Sequence, residues 1–217
     1  TCRTSFVTPS EGVHYCGYPI RELVDFSPED IIYLLFNKEL PNLEQSAQFK
    51  ADLSSRATLP NGVEEVLKTL PKTGHPMDWL SIGIHALGMC DTTENWLDDA
   101  LNLVARMPRL MGLIFRYREG RTSDIPVDDV SKSLVERFVE TLDLANVDKA
   151  KMSKVVSTYL VLHMDHGGGN LSTFTGKSIA SGKATVYSAI AGAMNALSGP
   201  LHGRANQSCL EFVLKVG

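Results

Sequence analysis

The chain has 217 residues, 43% of them hydrophobic and 21% charged, with a formal net charge of −4. That balance is the norm for soluble globular proteins, long enough for one large or two small domains, and it lacks the basic excess of a general nucleic-acid binder. No apolar run approaches the ~20 residues that a membrane helix needs.

The four cysteines, Cys2, Cys16, Cys90 and Cys209, are scattered without any C-x-x-C spacing. They suggest neither a zinc site nor a disulfide framework. A reducing compartment is the simpler reading, with the thiols acting as small apolar residues. The chain begins at Thr1 and opens on no signal-peptide pattern, so an upstream piece is expected to have been removed or left out.

Strand signals occur only at the start. Arg3 to Thr8 and Val13 to Cys16 are β-prone runs around the turn cluster Pro9-Ser10-Glu11-Gly12, which predicts a small hairpin that Gly17-Tyr18-Pro19 then ends. Helical signals dominate afterwards. Ser27 before Pro28 reads as an N-cap with proline at the first helical position. The run from Ile31 to Phe36 is apolar nearly all round and suits a buried helix.

Asn42 can cap the next helix, and Asn61 with Glu64 resembles a capping box for a short one ending before Pro71. After Pro76, the stretch Trp79 to Leu87 predicts a strongly apolar helix whose small residues allow close helix–helix approach. Thr93 is a candidate cap for a helix through Trp96, Leu103 and Leu113, with Pro108 kinking or restarting it and Gly120 marking its end. Helical spacing then predicts Val127 to Leu142, Asp148 to His163 and Val186 to Leu197, with a last helix from near Arg204. Gly120 to Pro126 reads as an exposed linker but not a domain boundary, because helices of one character lie on both sides.

Arg106, Arg109, Arg116, Arg118 and Arg121 form the one basic run. It reads either as a solvated helix face or as an attractor for an anionic ligand such as a CoA phosphate.

Two segments concentrate polar chemistry. In the first, His163, Asp165, His166 and Asn170 fall within eight residues and surround the glycines 167–169, where backbone can approach a ligand closely. In the second, Gly199-Pro200 breaks a helix and His202-Gly203 precedes the next one. A helix N-terminus carries unpaired N–H groups and partial positive charge. That environment favours neutral imidazole, suited to hydrogen-bonding a carbonyl oxygen and to acid–base work.

Three generic readings compete here. His163, Asp165, His166 and His202 have the ligand types of a zinc or iron site, without a matching spacing. The triple glycine is a weak phosphate-loop signal, lacking the Lys-Ser/Thr ending. The third reading makes the histidines satisfied core groups, and it fits His14, His75 and His85 better than His166 and His202.

The stretches His163-Met164-Asp165-His166-Gly167-Gly168-Gly169-Asn170-Leu171-Ser172-Thr173 and Gly199-Pro200-Leu201-His202-Gly203-Arg204-Ala205-Asn206-Gln207 resemble the signatures of the citrate synthase family. Weaker likeness at Gly17-Tyr18-Pro19-Ile20-Arg21-Glu22-Leu23, Leu40-Pro41, His75-Pro76-Met77 and Tyr117-Arg118-Glu119-Gly120 extends it over essentially the whole chain.

The resemblance implies an all-α, multi-helical large domain with a small N-terminal hairpin, partial over 1–217. It also implies a homodimer that condenses acetyl-CoA, as co-substrate, with oxaloacetate to give citrate and CoA. No cofactor, metal, nucleic acid or membrane is implied. By position, His166 matches the histidine that binds oxaloacetate. His202 matches the one that hydrogen-bonds the acetyl-CoA carbonyl and stabilises its enol. Asn170 lies where the family lines the oxaloacetate pocket, His163 and Asp165 would be supporting groups, and the helix from Trp79 to Leu87 is a candidate dimer contact.

Two departures bear on this. Gly167 stands where the family commonly has Glu. The family's catalytic aspartate, third histidine and substrate-binding arginines lie beyond the second motif, as does the small domain, so the chain is expected to be an inactive piece of a longer enzyme. The alternatives are 2-methylcitrate synthase, using propionyl-CoA, and a non-catalytic homologue or dimerisation partner. The compartment is expected to be cytoplasmic, with the mitochondrial matrix as alternative.

Overall fold

The computed structural model describes residues 4–167 and 169–217; Thr1, Cys2, Arg3 and Gly168 lie outside them. Among the described residues there are three short strands, β1 (Ser5–Thr8), β2 (Gly12–Tyr15) and β3 (Tyr18–Pro19). Eleven helices follow: α1 (Ile20–Leu23), α2 (Pro28–Asn37), α3 (Leu43–Ser55), α4 (Asn61–Thr69), α5 (Pro76–Asp91), α6 (Trp96–Arg118), α7 (Leu134–Leu142), α8 (Lys149–His163), α9 (Leu171–Ser181), α10 (Val186–Leu197) and α11 (Ala205–Val216). The all-α expectation holds. The chain folds as two compact units, one of Thr1–Leu59 with Val104–Gly168, the other of Pro60–Leu103 with Gly169–Gly217.

In the first unit the predicted hairpin forms, with Ser5 opposite Tyr15 and Thr8 opposite Gly12. The segment expected to end it instead adds a strand, Tyr15 pairing with Tyr18 and His14 with Pro19. Cys16 and Gly17 both have positive φ and reverse the chain within two residues. Proline is tolerated there because the last strand of the sheet needs no further N–H donor. Tyr15, Leu23, Ile31, Leu34 and Val161 form a fully buried cluster, onto which Val13, Cys16, Tyr18 and Met164 pack. This core joins the sheet to α2 and to the end of α8.

Helix starts follow side-chain capping. Ser27 accepts from Asp30 N and caps α2, with Pro28 at its first position. Asn42 and Gln45 make a reciprocal capping box at α3. Ser133 and Glu136 do the same at α7, so that helix starts at Leu134 and not at the predicted Val127. A capping box satisfies two orphan backbone donors at once and fixes the boundary more firmly than apolar spacing can. Residues 127–133 are non-helical, and Asp128 there receives the Arg137 guanidinium. The linker at 120–126 is also tied down: Arg116 donates to Ser123 and Asp124 carbonyls and Arg109 to that of Pro126.

In the second unit α10 packs on α9 and α5, and α4 packs on α5. Val63, Leu67, Trp79, Ile84, Leu87 and Tyr187 are buried at these contacts. The apolar face of α5 is thus covered by helices of its own unit, and its outward side carries Ile82, His85 and Met89. His85 is therefore a surface group and not the core histidine expected from its apolar neighbours. Cys90 and Cys209 are likewise exposed, whereas Cys16 packs on the core as expected.

Two predicted caps are not used. α4 has Pro60 at its N-cap with no side-chain bond, and Asn61 is already helical. α6 starts at Trp96, with Asn95 Oδ1 accepting from Leu97 N, while Thr93 is taken up by Asp99. The helix continues through Pro108 to Arg118. Helix α9 was not legible in the sequence; Asn170, read only as a ligand residue, is its N-cap.

Candidate active site

The segment bearing His163, Asp165 and His166 closes α8. The last four carbonyls of a helix lack intrahelical partners, and here one of them, that of Val161, finds a side chain. Tyr15 OH donates to Val161 O at 2.9 Å. His163 Nδ1 lies 2.8 Å from Tyr159 O, and its ring stacks on Tyr159 with centroids 4.1 Å apart. A carbonyl can only accept, so Nδ1 of His163 carries a proton. This histidine is the last helical residue of α8.

Asp165 binds the turn in three ways. Its Oδ1 accepts from Gly167 N at 2.8 Å, its Oδ2 accepts from Thr4 Oγ1, and its backbone N donates to Tyr15 OH at 3.3 Å. Burial pushes the Tyr15 phenol above its ordinary value, against backbone hydrogen bonds from Asp165 and Met164 that lower it. Gly167 follows with φ +85°, in the left-handed region where only glycine sits without strain. Between these anchors His166 is exposed, and its ring makes no hydrogen bond among the described residues.

Asn170, Ser172 and His202 come together in the second unit, across 30 residues of chain. Asn170 Oδ1 accepts from Thr173 N and from Ser172 Oγ, both at 2.8 Å. His202 Nε2 accepts from Ser172 N at 3.3 Å and lies 3.0 Å from Ser172 Oγ. A backbone N–H can only donate, so the lone pair of the neutral ring is at Nε2 and its proton is at Nδ1. Nδ1–H makes no hydrogen bond among the described residues and is free to donate to a carbonyl.

Gly203 holds this turn close to the end of α10. A Cβ there would lie 2.7 Å from Leu197 O and 2.6 Å from its Cδ1. The expected position before a helix is confirmed, since α11 begins at Ala205, three residues beyond His202.

His75 and His14 have structural employment. His75 caps α5, its Nδ1 accepting from Met77 N and its Nε2 lying 3.4 Å from Gln207 Oε1. His14 stacks on Phe6 at 4.5 Å. Among the described residues no group of three or more His, Cys, Asp or Glu is arranged to hold a metal ion.

The basic run proves to be neither a solvated face nor an open anion site. Arg106 donates to the Arg56 and Thr58 carbonyls, and Arg121 to those of Leu142 and Asp143. Arg116 is 3% exposed, held by Ser123 and Asp124 and paired with Asp143 at 3.8 Å. Arg137, which periodicity did not single out, is 2% exposed. It pairs with Asp128 at 2.7 Å and donates to the Ala105 and Ala57 carbonyls. A cavity of about 260 Å³ lies against it, between Glu29, Lys50 and Lys132. Lys50 is paired with Asp30, and Lys132 with Glu140.

Ser172 lies within its motif without a role legible from sequence, and neither Tyr15 nor Thr4 stands out there. The Asn170-x-Ser172-Thr173 pattern is a helix-start signal that could have exposed both α9 and the residue touching His202. Tyr15 carries no such signal, because only the tertiary fold sets a strand tyrosine against a helix end 146 residues away.

The family model described as "Citrate synthase, C-terminal domain" matches residues 1–217. Mitochondrial citrate synthase 4 of Arabidopsis thaliana is 31% identical over 98% of this chain and 49% of its own length. The mitochondrial citrate synthase of Daucus carota is 32% identical over 98% and 49%, and the mitochondrial 2-methylcitrate synthase of Yarrowia lipolytica 31% over 98% and 50%. The chain thus spans about half the length of the curated relatives it matches. Among solved structures, the citrate synthase of Thermotoga maritima superposes with a TM-score of 0.86 at 26% identity, covering 100% of this chain and 58% of that one. That of Pyrobaculum aerophilum gives 0.89 at 25% identity, over 100% and 57%.

Proposed function

From the premise that this chain belongs to the citrate synthase family, we propose that it is part of an enzyme condensing acetyl-CoA with oxaloacetate to give citrate and CoA. The observation that carries the assignment of His202 is its hydrogen bonding: Nε2 accepts from Ser172 N–H, which leaves Nδ1–H free as a donor.

Taking a proton from a thioester methyl group needs a base and, at the same moment, a donor for the developing enolate oxygen. His202 Nδ1–H is that donor. The resemblance places the proton-accepting carboxylate beyond the second motif, and no residue of these 217 is given that part. The enol carbon then attacks the keto carbon of oxaloacetate, and the new C–C bond forms as the keto oxygen becomes the tertiary hydroxyl. His166, solvent-facing on its anchored turn, binds oxaloacetate and holds its keto carbon for that attack. Hydrolysis of the citryl thioester releases CoA. Asn170 acts beside His202 by capping α9 and receiving the Ser172 hydroxyl, a positioning role that adds to the substrate contact expected of it.

The exposed Leu210, Val213 and Leu214 of α11 support the homodimer reading, since apolar side chains gathered on an exposed surface mark association sites. The curated relatives named above are mitochondrial, which supports the mitochondrial alternative over the cytoplasm. A second reading, condensation of propionyl-CoA, is favoured by the 2-methylcitrate synthase at 31% identity.

The test is CoA release by the full-length protein with oxaloacetate and either acyl-CoA. Faster turnover of acetyl-CoA, with most of it lost in His202→Ala, is expected. Equal or faster turnover of propionyl-CoA overturns the choice of substrate, and unchanged turnover in His202→Ala overturns the role of that residue.

A further inference from the structure

We infer that Tyr15, in β2, and Thr4, directly before β1, are positioning residues for His166: they fix the turn that aims its ring at the keto acid. The inference rests on the assignment of His166 proposed above and adds two residues from the opposite end of this unit's sequence.

A helix end followed by glycine has no intrinsic reason to hold one conformation. His166 sits three residues beyond the last helical residue, His163, and directly before Gly167. Its own ring engages nothing among the described residues, so its direction is set entirely by the backbone on either side. On the upstream side, Tyr15 OH spans the helix end. It donates to Val161 O inside α8 and accepts from Asp165 N outside it, linking the last turn of helix to the residue next to His166.

On the downstream side, Asp165 Oδ1 holds Gly167 N while its other oxygen takes the Thr4 hydroxyl. The carboxylate is thereby clamped between the turn and the residue that precedes β1. The Tyr15 anchor is rigid. Tyr15 has 0% exposure within the Leu23, Ile31, Leu34 and Val161 cluster, and its ring cannot leave without opening that core. A side chain locked by packing is what precise orientation of a ligand-binding group requires.

A purely structural tyrosine would affect stability and nothing else. A positioning one affects the keto acid selectively. The acetyl-CoA side is the internal control, because His202 is held by Ser172 and not by this anchor.

The experiment is Tyr15→Phe, which keeps the ring in the core and removes only the hydroxyl, with Thr4→Val as a second, milder variant. Three quantities are read in the full-length protein: KM for oxaloacetate, KM for acetyl-CoA, and amide hydrogen exchange at Asp165 and Gly167. In Tyr15→Phe the oxaloacetate KM is expected to rise roughly threefold to tenfold, the share of one hydrogen bond, with the acetyl-CoA KM unchanged and exchange faster at both amides. Thr4→Val shifts the same two quantities by less. Equal rises in both KM values, or unchanged exchange at Asp165 and Gly167, overturn the inference. Wild-type protein that turns over no acyl-CoA overturns the proposed function instead, and the exchange measurement still decides whether Tyr15 and Thr4 hold the turn.

Discussion

Ser172 holds His202 through its backbone N–H, which donates to Nε2 at 3.3 Å, and its hydroxyl oxygen lies 3.0 Å from the same atom. The same hydroxyl reaches Asn170 Oδ1 at 2.8 Å. Two separate motifs of the chain are thus joined through one serine, which is the N2 residue of α9.

Ser172→Ala keeps the backbone donor and loses both hydroxyl contacts. One hydrogen bond contributes about 0.5–1.5 kcal/mol, so kcat is expected to fall roughly threefold to tenfold. Ser172→Pro also removes the N–H, at a first-turn position where proline is tolerated, and the loss should be larger. Steady-state rates of CoA release check the order wild type, Ala, Pro; a proline variant as fast as the alanine one would show that the backbone bond is idle.

Gly203→Ala should disturb both stability and rate. Its new methyl would meet Leu197 O at 2.7 Å, and overpacking of this kind costs about 1–3 kcal/mol. The carbonyl ends α10 and cannot rotate away freely, so the turn carrying His202 must move. Chemical denaturation and kcat measured on one preparation are both expected to decline; a variant that loses stability but keeps its full rate would separate the turn from the chemistry.

At Gly167, where φ is +85°, a side chain is strained by the backbone itself. Gly167→Ala is expected to lower unfolding free energy by about 1 kcal/mol. Gly167→Glu, which restores the residue common in the family, should be no more active than the parent. A gain in turnover with Glu would mean that the turn readily adopts another conformation.

Asp30 supplies the pH dependence. Burial pushes its carboxyl upward, but hydrogen bonds from Ser46, Ser27 and Lys50 outweigh it and leave the group below the usual carboxylate range. A folded-state value below the unfolded one means that the native state holds the proton less tightly. Its stabilisation is therefore complete above the unfolded value of about 3.9 and is lost as the pH falls through the lower folded value. Asp30→Asn should be less stable than wild type at pH 6, and the gap should narrow once the pH drops below about 4. Urea titrations across that range would show a pH-independent gap if the shift is absent.

Arg137 is the most exacting buried charge. Arg137→Met leaves Asp128 and the Ala57 and Ala105 carbonyls without their donor. Breaking one side of a buried pair costs about 3–5 kcal/mol, so the variant should unfold at markedly lower denaturant. A loss under about 1 kcal/mol, the worth of an exposed pair, would show that Asp128 is solvated when alone.

The sequence by itself determined the helical character of the chain, most helix starts, and the two histidine motifs. These are local properties. Ser27-Pro28, Asn42 with Gln45 and Asp148 announce helices because a capping side chain bonds backbone only two or three residues away. His166 and His202 stood out because polar residues beside glycines are not what a core requires.

Tertiary structure decided what those groups touch. Nothing near Arg109 or Arg121 in sequence reveals that their guanidinium groups hold the Pro126 and Leu142 carbonyls, so a basic run was read as solvent-facing or ligand-facing. Nothing near Tyr15 reveals Val161 and Asp165. Hydrogen bonds and packing across 17 to 150 residues depend on how the elements are brought together, and a periodic pattern records only which side of an element is buried, not what buries it.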